Sequence, residues 1–272
     1  MPLTFKKAPL AELIAEVKWA AVGLPDPQQG ARPGILQFQV FNTSAFEEFY
    51  MRFGALVHAQ GFTVAERIMP PGFPAPPFQV VYRYKGAKTG KEILQVGPGV
   101  FSANALRPYQ SWHVFRPAVM VGLNALLEAR PESEKDAQFT SVSLRYINSF
   151  TPDLTGGRDT ATFVRDVLGI KTDFPKPIAD LIAEGASPVP SLTFAFPTTD
   201  GLGVQLTVAD GIVEGGPSIV LDLYVYSTGP TAATADATIG ALDAARNLAH
   251  GMFIGLTKSI NTAMEPEGTD DR

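Results

Sequence analysis

Strand-like segments occur in neighbouring pairs along this sequence, and helical segments separate the pairs. Residues 78–84 and 92–96 flank a short loop with a glycine near each end, which is typical of a β-hairpin. Residues 191–196, 204–208 and 218–226 follow one another with Gly-containing turns between them, as in an antiparallel meander. The pattern therefore predicts an α+β fold, with mostly antiparallel sheet covered by helices and a long C-terminal helix over 235–263.

The sequence predicts two halves that pack as one compact unit. Residues 1–150 have the order β-β-α-β-β-α-β, which includes a strand over 35–41, and residues 151–272 have the order α-α-β-β-β-α. The boundary is expected at 151–157, because this stretch contains a proline and a Gly-Gly pair.

The first expected helix starts near Ser44, which forms a capping-box pattern with Glu47, and continues to about residue 60. One face of this helix carries residues at three- and four-residue spacing, and we expect that face to pack on the sheet. These residues are Phe46, Phe49, Tyr50, Phe53 and Val57.

Charge and composition limit the classes of function. The 272 residues have a net charge of -5 and a pI near 5.3, which argues against a protein whose main role is to grip nucleic acid. The chain has no cysteine, so disulfides, thiolate nucleophiles and cysteine metal sites are excluded. Glu12 and Glu16 interrupt any signal-peptide core, and no window of about 18 apolar residues occurs. We expect a soluble, cytoplasmic protein without a membrane partner.

Motifs with a defined chemistry are not evident. Gly97-Pro98-Gly99 lacks the ending of a phosphate-binding loop, and a tight turn explains it better. His58, His113 and His250 belong to three separate expected helices without metal-ligand spacing. No Gly-x-Ser-x-Gly or similar nucleophile motif occurs. We therefore expect no metal site and no cofactor; the sequence leaves enzymatic activity open and favours a protein without it.

Arg145 is the one cation in the middle of an expected strand, residues 139–150. In a regular strand its side chain points to the face opposite Leu144 and Tyr146. A planar guanidinium there suits a carboxylate or phosphate ligand. The alternative is a salt bridge to a carboxylate of a helix, which is the commoner arrangement.

Four segments together resemble a sporadically distributed family of uncharacterised bacterial and phage proteins. The segments are Ala8-Pro-Leu-Ala-Glu-Leu-Ile14, residues 95–104 with Gly-Pro-Gly and Phe-Ser-x-Asn, Tyr109-x-x-Trp112 and Leu144-Arg-Tyr-Ile-Asn148. The resemblance covers the whole chain, although the motifs lie in the first 150 residues. Patchy distribution implies carriage on mobile elements, and hence a defence, toxin–antitoxin or accessory module. Ser149-Phe150 departs from the usual ending of the last motif.

Three classes of function remain open. The favoured one is a non-catalytic binding subunit or accessory protein that acts through a protein partner or as a homo-oligomer, with exposed Phe73, Phe78, Tyr109 and Trp112 as aromatic anchors. The alternative is a small-ligand sensor or enzyme with a pocket around Arg145 and Tyr109.

The third class is a nucleic-acid binder, which the acidic pI disfavours. It would use the basic cluster of the expected hairpin, formed by Arg83, Lys85, Lys88 and Lys91. Across the first two classes, the candidate ligand- or partner-binding residues are Asn104, Tyr109, Trp112, Arg145 and Asn148.

Overall fold

The fold is that of a computed structural model, which describes residues 4–20, 43–73, 75–88, 90–171, 174–186 and 188–267. The strand expected over 35–41 lies outside these residues. The side chain of Ser44 is not described either, so the expected capping box also lies outside the described part.

The described chain contains strands and helices of very different lengths. The strands are β1 (Thr4–Phe5), β2 (Leu10–Trp19), β3 (Val64–Arg67), β4 (Tyr82–Lys85), β5 (Glu92–Gly97), β6 (Val100–Leu106), β7 (Phe139–Phe150), β8 (Leu192–Pro197), β9 (Leu202–Val213), β10 (Gly216–Ser227) and β11 (Pro266–Glu267). The helices are α1 (Thr43–Ala59), α2 (Trp112–Ala129), α3 (Pro152–Thr155), α4 (Thr160–Asp166), α5 (Lys176–Ala179) and α6 (Ala235–Leu256).

Nine strands form one antiparallel sheet in the order β3-β4-β5-β6-β2-β7-β10-β9-β8. A small second sheet pairs β1 with β11. The α+β class with an antiparallel sheet and covering helices is thereby confirmed. No described helix is both long enough and apolar enough to cross a membrane.

The chain divides into two compact units, each built from separate segments. Unit 1 comprises residues 1–13, 145–225 and 245–272, and unit 2 comprises residues 14–144 and 226–244. The sequence predicts halves of 1–150 and 151–272 instead. Discontinuous units arise because long-range strand pairing, which no local pattern encodes, decides which segments pack together.

In unit 2, α1 packs its aromatic face into the core as expected. Phe49, Phe53 and Val57 are fully buried, and the Tyr84 hydroxyl donates to the Tyr50 carbonyl at 2.9 Å. At the turn between β5 and β6, a Cβ added to Gly97 would lie 1.8 Å from the Gln79 carbonyl oxygen. Glycine is therefore required by close packing, which supports a structural role for the Gly-Pro-Gly motif.

In unit 1, a core cluster joins β7, β9 and β10 to α4 and to Ile260 and Met264, which follow α6. Phe150 stacks against the ring of Phe253 at 6.4 Å and packs against Phe163 at 5.0 Å. Leu206, Val208, Phe150 and Phe163 belong to this cluster, and the partly buried Phe253 packs against it. The cluster therefore packs on the face of β10 and β9, and β9 is the neighbour of β8 in the sheet.

Candidate functional site

Arg145 forms an ion pair within unit 1. Its Nε donates to Oδ1 of Asp222 on β10 at 2.9 Å, and its Nη2 donates to Oδ2 at 2.5 Å. The salt bridge considered from the sequence is therefore present. Its partner lies on a strand and not, as expected, on a helix, because β7 and β10 are neighbours in the sheet.

Two of the predicted binding residues are buried asparagines on strands. Asn148 Nδ2 donates to the Leu221 carbonyl at 3.2 Å in unit 1. Asn104 Oδ1 accepts from the Ser102 hydroxyl at 3.0 Å in unit 2. Buried side-chain amides normally form hydrogen bonds within the protein. A structural role therefore accounts for the presence of asparagine at both positions.

Trp112 begins α2 and is buried. Its indole Nε1 donates to Oδ1 of Asp243 on α6 at 2.6 Å, and the Arg116 guanidinium contacts Oδ2 of the same carboxylate at 3.3 Å. The expectation that Trp112 is an exposed anchor is therefore wrong. Of the other expected anchors, Phe73 is exposed, whereas Phe78 and Tyr109 are half-buried.

Tyr109 lines a cavity of about 330 Å³ in unit 2, beside the start of α2. The cavity also contains Glu92, and burial raises the pKa of that carboxyl group. Arg145, Asn104 and Asn148 are not among the residues that line it. The structure thus does not gather the predicted residues into one pocket.

Two further predictions concern metal ligands and the basic hairpin. Within them, no group of three or more histidine, aspartate or glutamate side chains could hold a metal ion. In the basic hairpin, Lys85 and Arg83 contact Oε2 of Glu66 at 3.2 and 3.7 Å. Because Glu66 neutralises part of this cluster, its attraction for phosphate is weakened.

An apolar strand at one edge of the large sheet is the most unusual surface in the described chain. β8 is the last strand in the sheet order, and all its residues except Leu192 are exposed. Phe194 and Phe196 lie opposite Leu206 and Val204 of β9. The exposed fractions are 41% and 43% for the two phenylalanines, but 5% and 0% for their partners. The core face of the sheet therefore continues onto β8, where no residue of the described ranges covers it.

The outer edge of β8 has backbone groups directed away from β9. Thr198 N–H donates to the Leu202 carbonyl at 2.7 Å, in the same register as the β8–β9 ladder. Thr198 and Leu202 thus form a hydrogen-bonded pair, and hydrogen-bonded and non-hydrogen-bonded pairs alternate along an antiparallel ladder. Thr193 and Ala195 belong to non-hydrogen-bonded pairs, so their N–H and C=O groups point away from β9. The close contact of the Thr193 and Thr207 hydroxyls at 3.2 Å agrees with a non-hydrogen-bonded pair. Pro197 also has an outward position, where its missing N–H costs no ladder bond.

The two edges of the sheet differ in charge. At the other edge, β3 has only four residues, and Glu66 and Arg67 carry charges that engage in ion pairs. Residues 188–199, which include β8, contain no charged side chain. Natural sheets protect free edges with charges or very short strands, so β3 is protected and β8 is not.

Further apolar side chains of unit 1 are exposed near α5 and before β8. They are Phe174, Ile178, Leu181, Ile182 and Val189. Large clusters of exposed apolar side chains are rare on monomeric proteins, and they commonly mark interaction surfaces. The sequence predicts a strand over 191–196 but does not indicate that it lies at an edge of the sheet. The uncharged run 188–199 was the available signal, but sequence order does not reveal which strand lies at an edge.

No known family model matches this chain, and no curated protein does.

Proposed function

We propose that this protein is a non-catalytic binding subunit that adds an extended strand of a protein partner to the outer edge of β8. The observation that supports the proposal is the combination of an uncharged edge, to which no other described strand pairs, with the exposed rings of Phe194 and Phe196. Addition of a strand to a sheet edge is a common mode of peptide recognition, in which backbone bonds give affinity and alternate side chains give specificity.

The edge defines what the partner must look like. Thr193 and Ala195 offer two N–H and two C=O groups, so a partner strand gains four backbone hydrogen bonds of roughly 0.5–1.5 kcal/mol each. On one face of the added strand, apolar side chains would cover Phe194 and Phe196. The partner segment is therefore extended, uncharged at its centre and apolar at alternate positions.

The proposal retains the favoured interpretation of the sequence but moves the contact surface. The expected anchors near Tyr109 and Trp112 are replaced by β8. The partner is a different protein or a second copy of this chain, and the experiment below distinguishes them. A role in a defence, toxin–antitoxin or other mobile-element module stays a prediction that rests on the family resemblance.

The test uses two alanines in equivalent positions on the two sheet edges. Ile68 N–H donates to the Val81 carbonyl at 2.8 Å in the β3–β4 register, so alternation directs the backbone of Ala65 outward, as it does for Ala195. Ala195→Pro removes an outward N–H of β8 and adds steric bulk, while Ala65→Pro makes the same change on β3.

A photo-reactive amino acid at position 193 would be cross-linked in the native host, and the cross-linked peptides would be sequenced. We expect one extended segment of a defined partner, lost with Ala195→Pro and retained with Ala65→Pro. A cross-link to β8 of another copy identifies the partner as a second copy. Cross-linking that is absent, or that survives Ala195→Pro, contradicts the proposal.

A further inference from the structure

The strand β8 itself meets the requirements that its outer edge places on a partner strand. Residues 188–199 contain no charged side chain. Leu192, Phe194 and Phe196 occupy every second position, so they share one face of the strand. An extended, uncharged segment with apolar side chains at alternate positions is therefore present in every copy of this chain.

The backbone of β8 can pair with β8 of a second copy in an antiparallel register that uses both outward residues. When Thr193 lies opposite Ala195 of the second copy, the two residues exchange both of their N–H···O=C bonds. The same pair occurs twice, because the contact is two-fold symmetric about Phe194. All the N–H and C=O groups that Thr193 and Ala195 direct outward are then used in both copies.

The neighbouring two-fold registers use the edge less well. If Ala195 lies opposite Ala195, Thr193 meets Pro197, which has no N–H for the Thr193 carbonyl. If Thr193 lies opposite Thr193, Ala195 meets Ser191, which precedes β8. The register centred on Phe194 is therefore favoured over both.

The side chains of β8 are compatible with this register on both faces of the sheet. Phe194 lies opposite Phe194 of the second copy, in a non-hydrogen-bonded pair whose Cβ atoms are about 4.5–5.5 Å apart, and Leu192 lies opposite Phe196. The exposed rings thus gain apolar neighbours. On the other face, Thr193 lies opposite Ala195, and neither side chain is large enough to block the approach.

Charge favours pairing of β8 with β8 over pairing of β8 with the other edge of the sheet. The strand β3 at that edge has only four residues and carries Glu66 and Arg67. Charged residues protect a sheet edge against pairing with another chain. A two-fold contact uses the same surface in both copies and closes after two of them. Assembly through β8 therefore stops at a dimer.

We propose that the strand added at β8 is β8 of a second copy of this chain, with Phe194 opposite Phe194. This inference rests on the strand addition proposed above and names its partner. Two strands of six residues make a small contact compared with the total area of about 1,200–2,000 Å² that stable complexes bury. We therefore expect a reversible dimer with a dissociation constant in the micromolar range.

A single introduced cysteine tests the register, because the chain has no cysteine of its own. Phe194→Cys places two cysteines directly opposite each other, where the Cα atoms are about 4.5 Å apart and within the range for a disulfide, about 4.4–6.8 Å. After mild oxidation of the purified chain, non-reducing gel electrophoresis should show a disulfide-linked dimer.

Phe196→Cys is the matched control. Phe196 lies on the same strand and face as Phe194, and the two are equally exposed, at 43% and 41%. In the proposed register, however, the two copies of residue 196 are about 14 Å apart, because four residues separate each from the position opposite the other. We expect at least about tenfold less cross-linked dimer with Phe196→Cys than with Phe194→Cys.

Sedimentation equilibrium of the purified chain measures the dimer without a cross-link. We expect a monomer–dimer equilibrium in the unaltered chain. Ala195→Pro should weaken the dimer about tenfold or more, and Ala65→Pro should leave it unchanged. Phe194→Cys changes no backbone group, so the cross-linking result still decides the proposal if Ala195→Pro fails to fold.

A chain that stays monomeric up to millimolar concentration overturns the proposal. Equal cross-linking at positions 194 and 196 overturns it as well, since the dimer then forms through another surface or in another register. If a monomeric chain still cross-links from position 193 to a different protein, and Ala195→Pro abolishes that cross-link, strand addition stands and only the second copy is wrong. Absence of both the dimer and that cross-link overturns both proposals.

Discussion

Phe194 lies directly opposite Leu206 in the β8–β9 ladder, yet 41% of Phe194 is exposed and only 5% of Leu206. The two side chains share one face of the sheet, so among the described residues the apolar core ends between them without a covering layer. Such an edge is an aggregation risk in a free protein and an advantage in a protein that binds a strand.

The difference between these two residues predicts their mutational effects. Leu206→Ala should lower the free energy of unfolding by about 2–5 kcal/mol, because it creates a cavity in the core. Phe194→Ala should cost only about 1 kcal/mol, since much of the ring is already in water. Urea unfolding of both variants checks this, and an equal loss for the two would show that Phe194 is a core residue.

Removal of the Ser218 hydroxyl should not harm the fold. Ser218→Ala is expected to leave the free energy of unfolding unchanged or to raise it by up to about 1 kcal/mol, because a buried hydroxyl without a hydrogen-bond partner among the described residues is lost. Thr257→Val is the matched control in the same unit, since its hydroxyl donates to the Phe253 carbonyl at 2.8 Å. The control should lose about 1 kcal/mol. A comparable loss in Ser218→Ala would reveal a hydrogen bond to that hydroxyl.

The Arg145–Asp222 pair should behave as a structural ion pair at the surface. A double-mutant cycle with Arg145→Ala and Asp222→Ala is expected to give a coupling energy of roughly 0.5–1 kcal/mol, which decreases with added salt. Thermal unfolding of the four proteins measures it. An absence of coupling would mean that the ion pair contributes nothing to stability and would return Arg145 to the list of ligand-binding candidates.

His250 should make stability depend on pH. Burial, with a smaller effect of Arg246, lowers the pKa of His250 below its ordinary value of 6.5. The unfolded chain therefore binds the proton more readily, and stability falls as the pH drops below about 6.5. His250→Asn should reduce this loss between about pH 6.5 and 5, whereas His58→Asn, at an exposed position, should preserve it. Identical pH profiles of both variants and the parent protein would contradict the assignment.

Much of the fold was predictable where local patterns are strong. The strand over 139–150 agrees with β7 at both ends, and the expected helix from Trp112 agrees with the start of α2. The fold class followed from the pairing of strands with short turns. The expected C-terminal helix over 235–263 is too long. The α-helix ends at Leu256 and a 3₁₀ turn, Lys258–Ile260, follows.

Besides the two-residue β1, two strands of the first half were missed, for different reasons. All but the last residue of β6 are buried, so its sequence shows none of the alternation that marks a half-exposed strand. β3 is short, and its charged residues obscure a strand pattern. β6 pairs with β5 across the turn between Gly97 and Val100, and on its other side with β2, which is distant in sequence. A local window contains no information on this second pairing.

The candidate site was less predictable than the fold. The residues chosen for their motif or chemistry, Trp112 and Arg145, form hydrogen bonds and ion pairs inside the structure. Phe194 and Phe196 are ordinary strand residues until the sheet order places them at an edge. The deciding information is the position of β8 in a sheet assembled from segments distant in sequence.

Amide hydrogen exchange at the edge of β8 tests the central claim most directly. In the free chain, the outward N–H groups of Thr193, Ala195 and Ala65 should all exchange rapidly with solvent. In the complex with its partner, we predict strong protection of Thr193 and Ala195 and none of Ala65, because only the β8 edge gains hydrogen bonds. Unchanged exchange at Thr193 and Ala195 in a saturated complex would contradict strand addition.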